Sequence, residues 1–250
     1  MKKFITISLT MIPIFIWSYV FSYNNAIYSP FQPILSIPWV YNPISWFYEP
    51  KTQEEIEKEI VNSMDFYTDT SLQKFLDDKH SLSWNYEAND IVRINSDFTT
   101  NKSSDFMLRK EAAEMFEWMA RVFSNAFDFK AKLTINSARR SQAFQRKLAS
   151  TCSNVRCAKP WTSEHEAWLA LDLWVNGVNI MAWSGKYYQR LMNNAHLYGF
   201  HNSYQKWVEV DGKMSEPRHR RYVWVQLATL LHEKWQTFTE YFYDNIEINK

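Results

Sequence analysis

Two short runs hold the densest collection of potential metal ligands in the chain, and they constrain its fold more than any other feature. The first run is SEHEAWLALD, Ser163 to Asp172, and the second is EPRH, Glu216 to His219. Two imidazoles, one ligand carboxylate and one spare carboxylate are the minimum set of a catalytic zinc site with an open position for water. A fold that uses this set must bring the two runs together; otherwise they are ordinary polar residues.

The spacing within each run makes a further structural demand. His165 and Asp172 are seven residues apart, and Glu216 and His219 are three apart. In a continuous strand an odd separation places two side chains on opposite faces. We therefore expect His165 to lie in a loop before a strand that contains Asp172. Pro217 disfavours a helix at Glu216, so the second run must bend or bulge if both of its ends are to face one metal.

The N-terminus predicts export. Lys2 and Lys3 precede an apolar stretch from Phe4 to about Tyr23, which is long enough to span a bilayer as a helix. No Lys or Arg follows until after Pro50, so the positive-inside rule places the two lysines in the cytoplasm and the rest of the chain outside it. We expect residues 1–23 to be a retained, single-pass anchor in the cytoplasmic membrane. A cleaved export signal is the alternative, although the small-residue cleavage pattern is poor.

Net charge and cysteine content exclude some classes of binding partner and of metal site. The formal net charge is +1, so no basic field favours nucleic acid. Cys152 and Cys157 are the two cysteines, which is too few for a disulfide framework or a double CxxC zinc site. In an exported domain the two can form a disulfide just before the His165 run; two free thiols are the alternative. The oligomeric state is not specified by these features.

Residues 24–80 form a region of their own. Five of the eight prolines lie here among aromatic residues, and repeated proline prevents a long helix. A charged helix with Ile56, Ile60 and Met64 on one face is predicted after the prolines. We assign residues 24–80 to a linker followed by this charged helix, and residues 81–250 to the domain that holds the two runs.

The domain is predicted to be α+β, because helices and short strands mix in it without a regular βαβ period. A hairpin is predicted from Trp207–Val210 with its turn at Asp211 and Gly212. The other predicted elements are helices over residues 108–127, 141–149, 184–198 and 224–242 and strands over residues 132–136 and 168–175.

Several motifs accompany the two runs in a fixed order. Ser137-Ala138-Arg139-Arg140-Ser141, followed by Gln145, is similar to Ser-Gly-Tyr-Arg-Ser-x-x-x-Gln. Ser163 to Asp172 is similar to Ser-x-His-x-x-Gly-x-Ala-x-Asp, and Glu216 to Val223 to Glu-Pro-Trp-His-x-Arg-Tyr-Val. From about residue 84 to residue 242 the chain thus resembles the VanY-type D-alanyl-D-alanine carboxypeptidases, zinc peptidases that trim peptidoglycan stem peptides.

The resemblance implies a fold and a role for each matching residue. The fold is the Hedgehog/DD-peptidase-like zinc peptidase fold, a small antiparallel sheet flanked by helices, and the cofactor is Zn²⁺. The implied roles are zinc ligation by His165, Asp172 and His219, base catalysis by Glu216, oxyanion or substrate stabilisation by Arg140, and substrate contact by Ser163 and Gln145.

The implied function is removal of the terminal D-Ala from peptidoglycan stem peptides outside the cytoplasmic membrane. Endopeptidase or L,D-carboxypeptidase action of the same fold is one alternative, and a non-catalytic wall-binding protein is another. A spare carboxylate at Glu216 favours the enzyme, because a binding protein has no use for a base beside the metal.

Four positions depart from the family pattern. Ala138, Trp161 and Trp168 stand where the family has Gly, and Arg218 stands where it has Trp. A large ring in place of Gly either packs away from the cleft or reshapes it. Arg139 beside Arg140 also leaves open which of the two guanidiniums faces the substrate.

Overall fold

The computed structural model describes residues 51–180 and 185–249, all of which belong to one compact unit. Its helices are α1 (Gln53–Asn62), α2 (Lys110–Asn125), α3 (Gln142–Ala149), α4 (Lys186–Asn194), α5 (Val208–Asp211), α6 (Val225–Lys234) and α7 (Phe238–Tyr241). Its strands are β1 (Ile91–Arg93), β2 (Met107–Arg109), β3 (Leu133–Ser137), β4 (Ala170–Val175), β5 (Val178–Asn179), β6 (Phe200–His201) and β7 (His219–Tyr222).

An antiparallel sheet forms the centre of the unit. Its strands lie in the order β3-β4-β7-β6, and the short β5 returns along β4. The strand β4 carries Leu171 and Leu173 toward the hydrophobic core, so Asp172 between them points to the opposite face. The predicted α+β class with a small antiparallel sheet is confirmed.

Helix α2 covers one face of this sheet. Its buried residues recur at helical spacing, among them Ala112, Phe116, Met119 and Phe123. They pack in one cluster with sheet residues such as Leu133 and Leu173. The predicted helix over residues 108–127 is therefore correct in its buried face, except that residues 107–109 pair as β2 with β1 before the helix begins.

A second, smaller core joins the two ends of the described chain. Phe75 stacks on Phe242 with ring centroids 3.9 Å apart, and Phe66 lies 6.1 Å from Phe238. Helix α1 has no buried residue and is held through Glu57, which pairs with Lys234 at 3.0 Å. The packed unit therefore extends to the N-terminal side of residue 81, where the domain boundary was predicted.

Two predicted elements are wrong. The hairpin at Trp207–Val210 is instead the single helical turn α5, because Asp211 is buried and its Oδ2 accepts a hydrogen bond from the Lys206 backbone N–H. The predicted helix over residues 224–242 is broken after α6. Trp235 has φ 55°, and Thr237 then begins α7 with a capping box.

Among residues 51–180 and 185–249, no helix has the length and apolarity needed to cross a membrane. The predicted anchor at residues 1–23 and the proline-rich part of the linker lie outside the described residues.

Gly199 ends the turn after α4 in a conformation that a side chain would oppose. Its φ is +75°, and a Cβ built there would lie 2.4 Å from Cε2 of Tyr222. Gly177 has a similar φ of +77° but open space around it. Both positions favour Gly for backbone reasons, and only Gly199 is also closed by a neighbouring ring.

We therefore expect Gly199→Ala to destabilise the protein more than Gly177→Ala. The control should cost about 1–2 kcal/mol, the penalty of an L-residue in the left-handed region. Overpacking against Tyr222 should add about 1–3 kcal/mol for Gly199→Ala. Denaturant unfolding of both variants measures the difference; equal free energies of unfolding would contradict the predicted contact.

Candidate metal centre and cleft

The fold brings the two runs of potential ligands together. Asp172 on β4 lies directly opposite His219 on β7 in the register of the sheet. His165 lies in the turn that precedes β4, and His219 begins β7 after a turn in which its N–H donates to the Glu216 carbonyl at 3.0 Å. The loop and the bend that the odd spacings required are both present.

The side chains of His165, Asp172 and His219 form a group that can hold a metal ion. All three are buried, and one ligand atom from each lies within 4.8 Å of the others. Nε2 of His165 is 3.6 Å from Oδ2 of Asp172, and Nδ1 of His219 is 3.4 Å from Oδ1. Tetrahedral bonds of about 2.1 Å place neighbouring ligand atoms about 3.4 Å apart, so the spacing fits zinc.

A second layer of hydrogen bonds orients both imidazoles. Nδ1 of His165 lies 2.5 Å from the Ala138 carbonyl oxygen, which leaves Nε2 as the ligand atom. Nε2 of His219 lies 2.6 Å from Oε2 of Glu164, which leaves Nδ1. Glu164 in turn accepts a hydrogen bond from the Ser203 hydroxyl at 2.8 Å. Such carboxylate and carbonyl partners fix the tautomer of metal-binding histidines.

The electrostatics of the three residues suit a cation. Burial opposes the charge on Asp172, but His165 and His219 hold the pKa of its carboxyl well below the usual range. Burial also opposes a charge on His219, but hydrogen bonds to Asp172 and Glu164 outweigh it and raise the His219 pKa to about 9. The carboxylates of Asp172 and Glu164 therefore stabilise the protonated imidazole of His219. A metal bound at this site would supply positive charge in place of that proton.

The group lies in the wall of an open cleft of about 380 Å³. Ser163, Glu216 and Arg140 line the same cleft. Glu216 is partly exposed, and its Oε1 lies 3.5 Å from a guanidinium nitrogen of Arg218. The arrangement thus places a base candidate and an arginine beside the potential ligands.

Arg140, and not Arg139, faces this cleft. One terminal nitrogen of Arg140 donates to Oδ2 of Asp172 at 3.3 Å, and the other donates to Oε1 of Gln145 at 3.3 Å. The guanidinium of Arg139 lies over the Trp168 ring, 4.5 Å from its centroid. Gln145 is fully buried and donates to the Ala158 carbonyl, so it holds Arg140 in place from outside the cleft lining.

The tryptophans that replace Gly keep the backbone conformation that Gly favours. Trp161 has φ 67° and Trp168 has φ 63°, in the left-handed region that is uncommon for other residues. Neither ring lines the cleft. The Trp161 ring packs 5.2 Å from that of Trp84, and the Trp168 ring is buried under Arg139. These two exchanges therefore add no ring to the cleft lining, whereas Arg218 does line the cleft.

Two features of the site were not predicted from the sequence. Glu164 belongs to the SEHE run, but its role depends on a contact with His219, fifty-five residues away. Tyr204 packs its ring 4.9 Å from that of His219, and burial raises the pKa of its hydroxyl well above the usual range. The one local signal for Glu164 was an acidic residue directly before a potential ligand histidine.

Cys152 and Cys157 are joined as a disulfide, which was one of the two alternatives predicted for them, and Cys157 lines the cleft.

No protein-family model matches the chain. A D-alanyl-D-alanine carboxypeptidase of Enterococcus faecalis (strain ATCC 700802 / V583) is 33% identical over 85 residues, which are 34% of this chain and 31% of the relative. The chain thus matches about a third of that relative's length.

Solved structures share the fold over most of the described domain. The LdcB LD-carboxypeptidase aligns with a TM-score of 0.62 and 25% identity, over 70% of this chain and 87% of that one. VanYB in complex with D-Ala-D-Ala aligns with a TM-score of 0.54 and 20% identity, over 68% and 97% of the two chains. A variant of the D,D-pentapeptidase VanY in complex with Zn(II) aligns with a TM-score of 0.53 and 20% identity, over 67% and 96%.

Loss of the Glu164 carboxylate tests the second layer of the metal centre. Glu164→Gln should weaken metal binding by about 10–100-fold, the usual effect of removing such a partner. Competition with a chelator, followed by metal analysis of the protein, gives the affinity. The exposed Glu114→Gln is the matched control, and an unchanged affinity in Glu164→Gln would contradict the assigned role.

The fold, the convergence of His165, Asp172 and His219, and the local sequence likeness agree, and the chain is similar to the VanY-like D,D-peptidases and to the LdcB LD-carboxypeptidase.

Proposed function

We propose that this protein is a zinc-dependent carboxypeptidase that removes the terminal D-Ala from peptidoglycan stem peptides. The observation that carries the proposal is the placement of Glu216 and Arg140 in the cleft that also exposes His165, Asp172 and His219. A site that only bound a metal, or only bound the wall, would not need a carboxylate and a guanidinium in the same cleft as the ligands.

Zinc, when bound by the three residues, lowers the pKa of a water toward about 7 and polarises the scissile carbonyl. Glu216 accepts the proton of the attacking water and passes it to the nitrogen of the leaving D-Ala. Arg140 stabilises the negative charge that develops on the carbonyl oxygen, a task that suits a planar guanidinium with several N–H donors. Gln145 restricts Arg140 to the rotamer that faces the cleft.

Two peptide bonds of the stem peptide are candidates for cleavage. A D,D-carboxypeptidase cuts between two D-Ala residues, which agrees with the VanYB complex and the curated relative. An L,D-carboxypeptidase is the second candidate, favoured by the higher TM-score and identity of the LdcB structure. Hydrolysis of stem pentapeptides and tetrapeptides by the full chain, followed by mass spectrometry, separates the two candidates.

We further propose that the protein acts outside the cytoplasmic membrane, held by residues 1–23. The apolar stretch that follows Lys2 and Lys3, and the absence of Lys and Arg from Phe4 to Pro50, support this location. The Cys152–Cys157 disulfide supports it independently, because disulfides persist in oxidising compartments and are rare in the cytosol.

Cations along the cleft support an acidic substrate. Arg140, Arg156, Lys213 and Arg218 line it; Arg140 and Arg218 pair with Asp172, Arg218 also pairs with Glu216, and Lys213 pairs with Asp78 at 3.4 Å. Arg218 is notable because Nε lies 3.8 Å from Oδ1 of Asp172, opposite Arg140, so two guanidiniums flank one ligand carboxylate. A stem peptide brings a terminal carboxylate and further side-chain carboxylates to such a surface.

Substitution of Glu216 tests the enzyme. Glu216→Gln should keep the metal and lower kcat by about 10²–10⁴-fold, since the amide cannot accept the proton. Metal content and stem-peptide hydrolysis are measured on the same samples. Glu209→Gln, on the nearby helix α5, is the control. Wild-type protein that holds zinc and leaves every stem peptide intact would favour the wall-binding alternative.

Substitution of Arg218 tests whether the cleft prefers substrates that carry a free side-chain carboxylate. Arg218→Met should lower kcat/KM about tenfold for a stem peptide whose diamino acid has a free carboxylate, the effect of one lost charged hydrogen bond. For the same peptide with that carboxylate amidated, Arg218→Met should lower kcat/KM by a smaller factor. The ratio of the two kcat/KM values is the measurement, because it cancels any effect of Arg218 on Glu216. A ratio that does not change would exclude Arg218 as the selective group.

A further inference from the structure

Two tryptophans stack on each other at the surface of the domain. The ring of Trp84 lies 5.2 Å from that of Trp161, with an angle of 30° between their planes, and Trp84 is 71% exposed. Trp161 is partly buried against the main hydrophobic cluster, so it anchors the pair to the domain. A single exposed apolar residue is ordinary, but a contiguous exposed apolar patch commonly marks a binding surface. We call this pair the aromatic platform.

The backbone holds the aromatic platform in place. The Leu82 N–H donates to the Trp161 carbonyl at 2.7 Å, and the Trp161 N–H donates to Oε2 of Glu166 at 2.8 Å. Trp161 and Asn85, the residue after Trp84, both have φ 67°, in the left-handed region. Strained residues of this kind persist where the surrounding structure fixes them, and they cluster at ligand sites. The backbone of the platform is therefore preorganised, which lowers the entropy that a ligand must overcome.

The guanidinium of Arg146 contacts the same platform. Its central carbon lies 5.5 Å from the centre of the Trp161 ring. Arg146 is exposed on helix α3, and it makes no salt bridge and no side-chain hydrogen bond with the residues that the structure describes. Its N–H groups are therefore free to donate to a ligand beside the two indole rings.

An exposed indole beside a free guanidinium favours a carbohydrate ligand. A hexose has an apolar face of C–H groups, which stacks on the electron-rich face of an aromatic ring. It also has a rim of oxygen atoms that accept hydrogen bonds from a guanidinium, and an acetamido or carboxylate substituent adds stronger acceptors. A purely apolar partner would leave the Arg146 charge desolvated and unpaired. The net charge of +1 gives no field that would attract a nucleic acid to the same surface.

The aromatic platform is close to the cleft but outside it. Ser163 lines the cleft, and Trp161 is two residues away from it, so their Cα atoms are at most about 7 Å apart. In the cell wall the stem peptide is joined to a sugar at its N-terminal end. Four residues between this sugar and the scissile bond span at most about 13–14 Å. A substrate that is cut in the cleft therefore carries its sugar to the surface around the rim, where the platform lies.

We infer that Trp84, Trp161 and Arg146 form a subsite for the glycan strand of peptidoglycan. An N-acetylated sugar stacks on the open ring of Trp84, and its oxygen atoms accept hydrogen bonds from Arg146. The choice of this sugar rests on the proposed function, because the stem peptides cut in the cleft are attached to it. Trp161 stands where the family pattern has Gly, so the subsite is a property of this chain and not of the pattern.

Hydrolysis of two matched substrates by the full chain in detergent tests the subsite. One is a stem pentapeptide capped with a lactyl group, and the other is the same peptide on the disaccharide of N-acetylglucosamine and N-acetylmuramic acid. We expect kcat/KM to be about tenfold higher for the disaccharide-linked peptide, the effect of one stacking contact. Trp84→Ala should make the two values equal. Trp161→Gly, the residue that φ 67° favours, should do the same and keeps the test valid if Trp84→Ala does not fold. Trp207→Ala, at a residue that is 79% exposed, is the matched control and should keep the difference.

Direct binding separates the subsite from the proposed function. Saturation-transfer difference NMR with the peptide-free disaccharide detects sugar C–H groups that contact the protein. We expect these signals with the wild-type protein and their loss in Trp84→Ala. Sugar signals of this kind without any peptide hydrolysis would support the subsite and contradict the proposed peptidase. Equal kcat/KM values for the two substrates with no sugar signal, or a sugar signal that survives in Trp84→Ala, would overturn the subsite and leave the peptidase unaffected.

Discussion

The antiparallel pairing of β4 with β7 is the constraint on which the site depends. It places Asp172 directly opposite His219, and it does so on the face of the sheet that Leu171 and Leu173 leave free by pointing into the core. The hydrophobic cluster under α2 fixes which face of β4 is buried, and a slip of one residue would turn Asp172 into that core. The packing of apolar residues thus sets the geometry of the polar ones.

The potential metal centre is stabilised by groups that have no direct place in the chemistry. The Ala138 carbonyl and Glu164 each orient one histidine, while Gln145 holds Arg140. These buried polar groups are costly unless they are fully paired, and each of them has its partner within the site. The rigid second layer keeps the ligand atoms close to the spacing that zinc requires, at the expense of burying several charges.

Three of the four residues that differ from the family pattern divide into two kinds. Trp161 and Trp168 occupy left-handed backbone positions and direct their rings away from the cleft, so their cost is local strain of about 1 kcal/mol or more each. Arg218 enters the cleft and contacts both Asp172 and Glu216. The charge of Arg218 acts on both the potential ligand Asp172 and the proposed base Glu216. Among the residues that differ from the family pattern, Arg218 is therefore the one placed to change substrate specificity inside the cleft.

The potential ligands were identified from the two runs together with their resemblance to a known family, whereas the α+β class and most helices follow from residue type, order and local periodicity. The odd spacings of His165 with Asp172 and of Glu216 with His219 also required the loop and the bend that the structure has. The sequence did not reveal that Glu164 and Tyr204 contact His219, since both contacts join segments that are distant in the chain or lie in different elements. It also misplaced α5 and the break at Trp235, where the burial of Asp211 and the capping of Thr237 override local propensity. Whether Arg139 or Arg140 faces the cleft depends on long-range packing: the Trp168 ring holds Arg139 away from the cleft, and Asp172 and Gln145 hold Arg140 in it, which the order of two adjacent residues does not reveal.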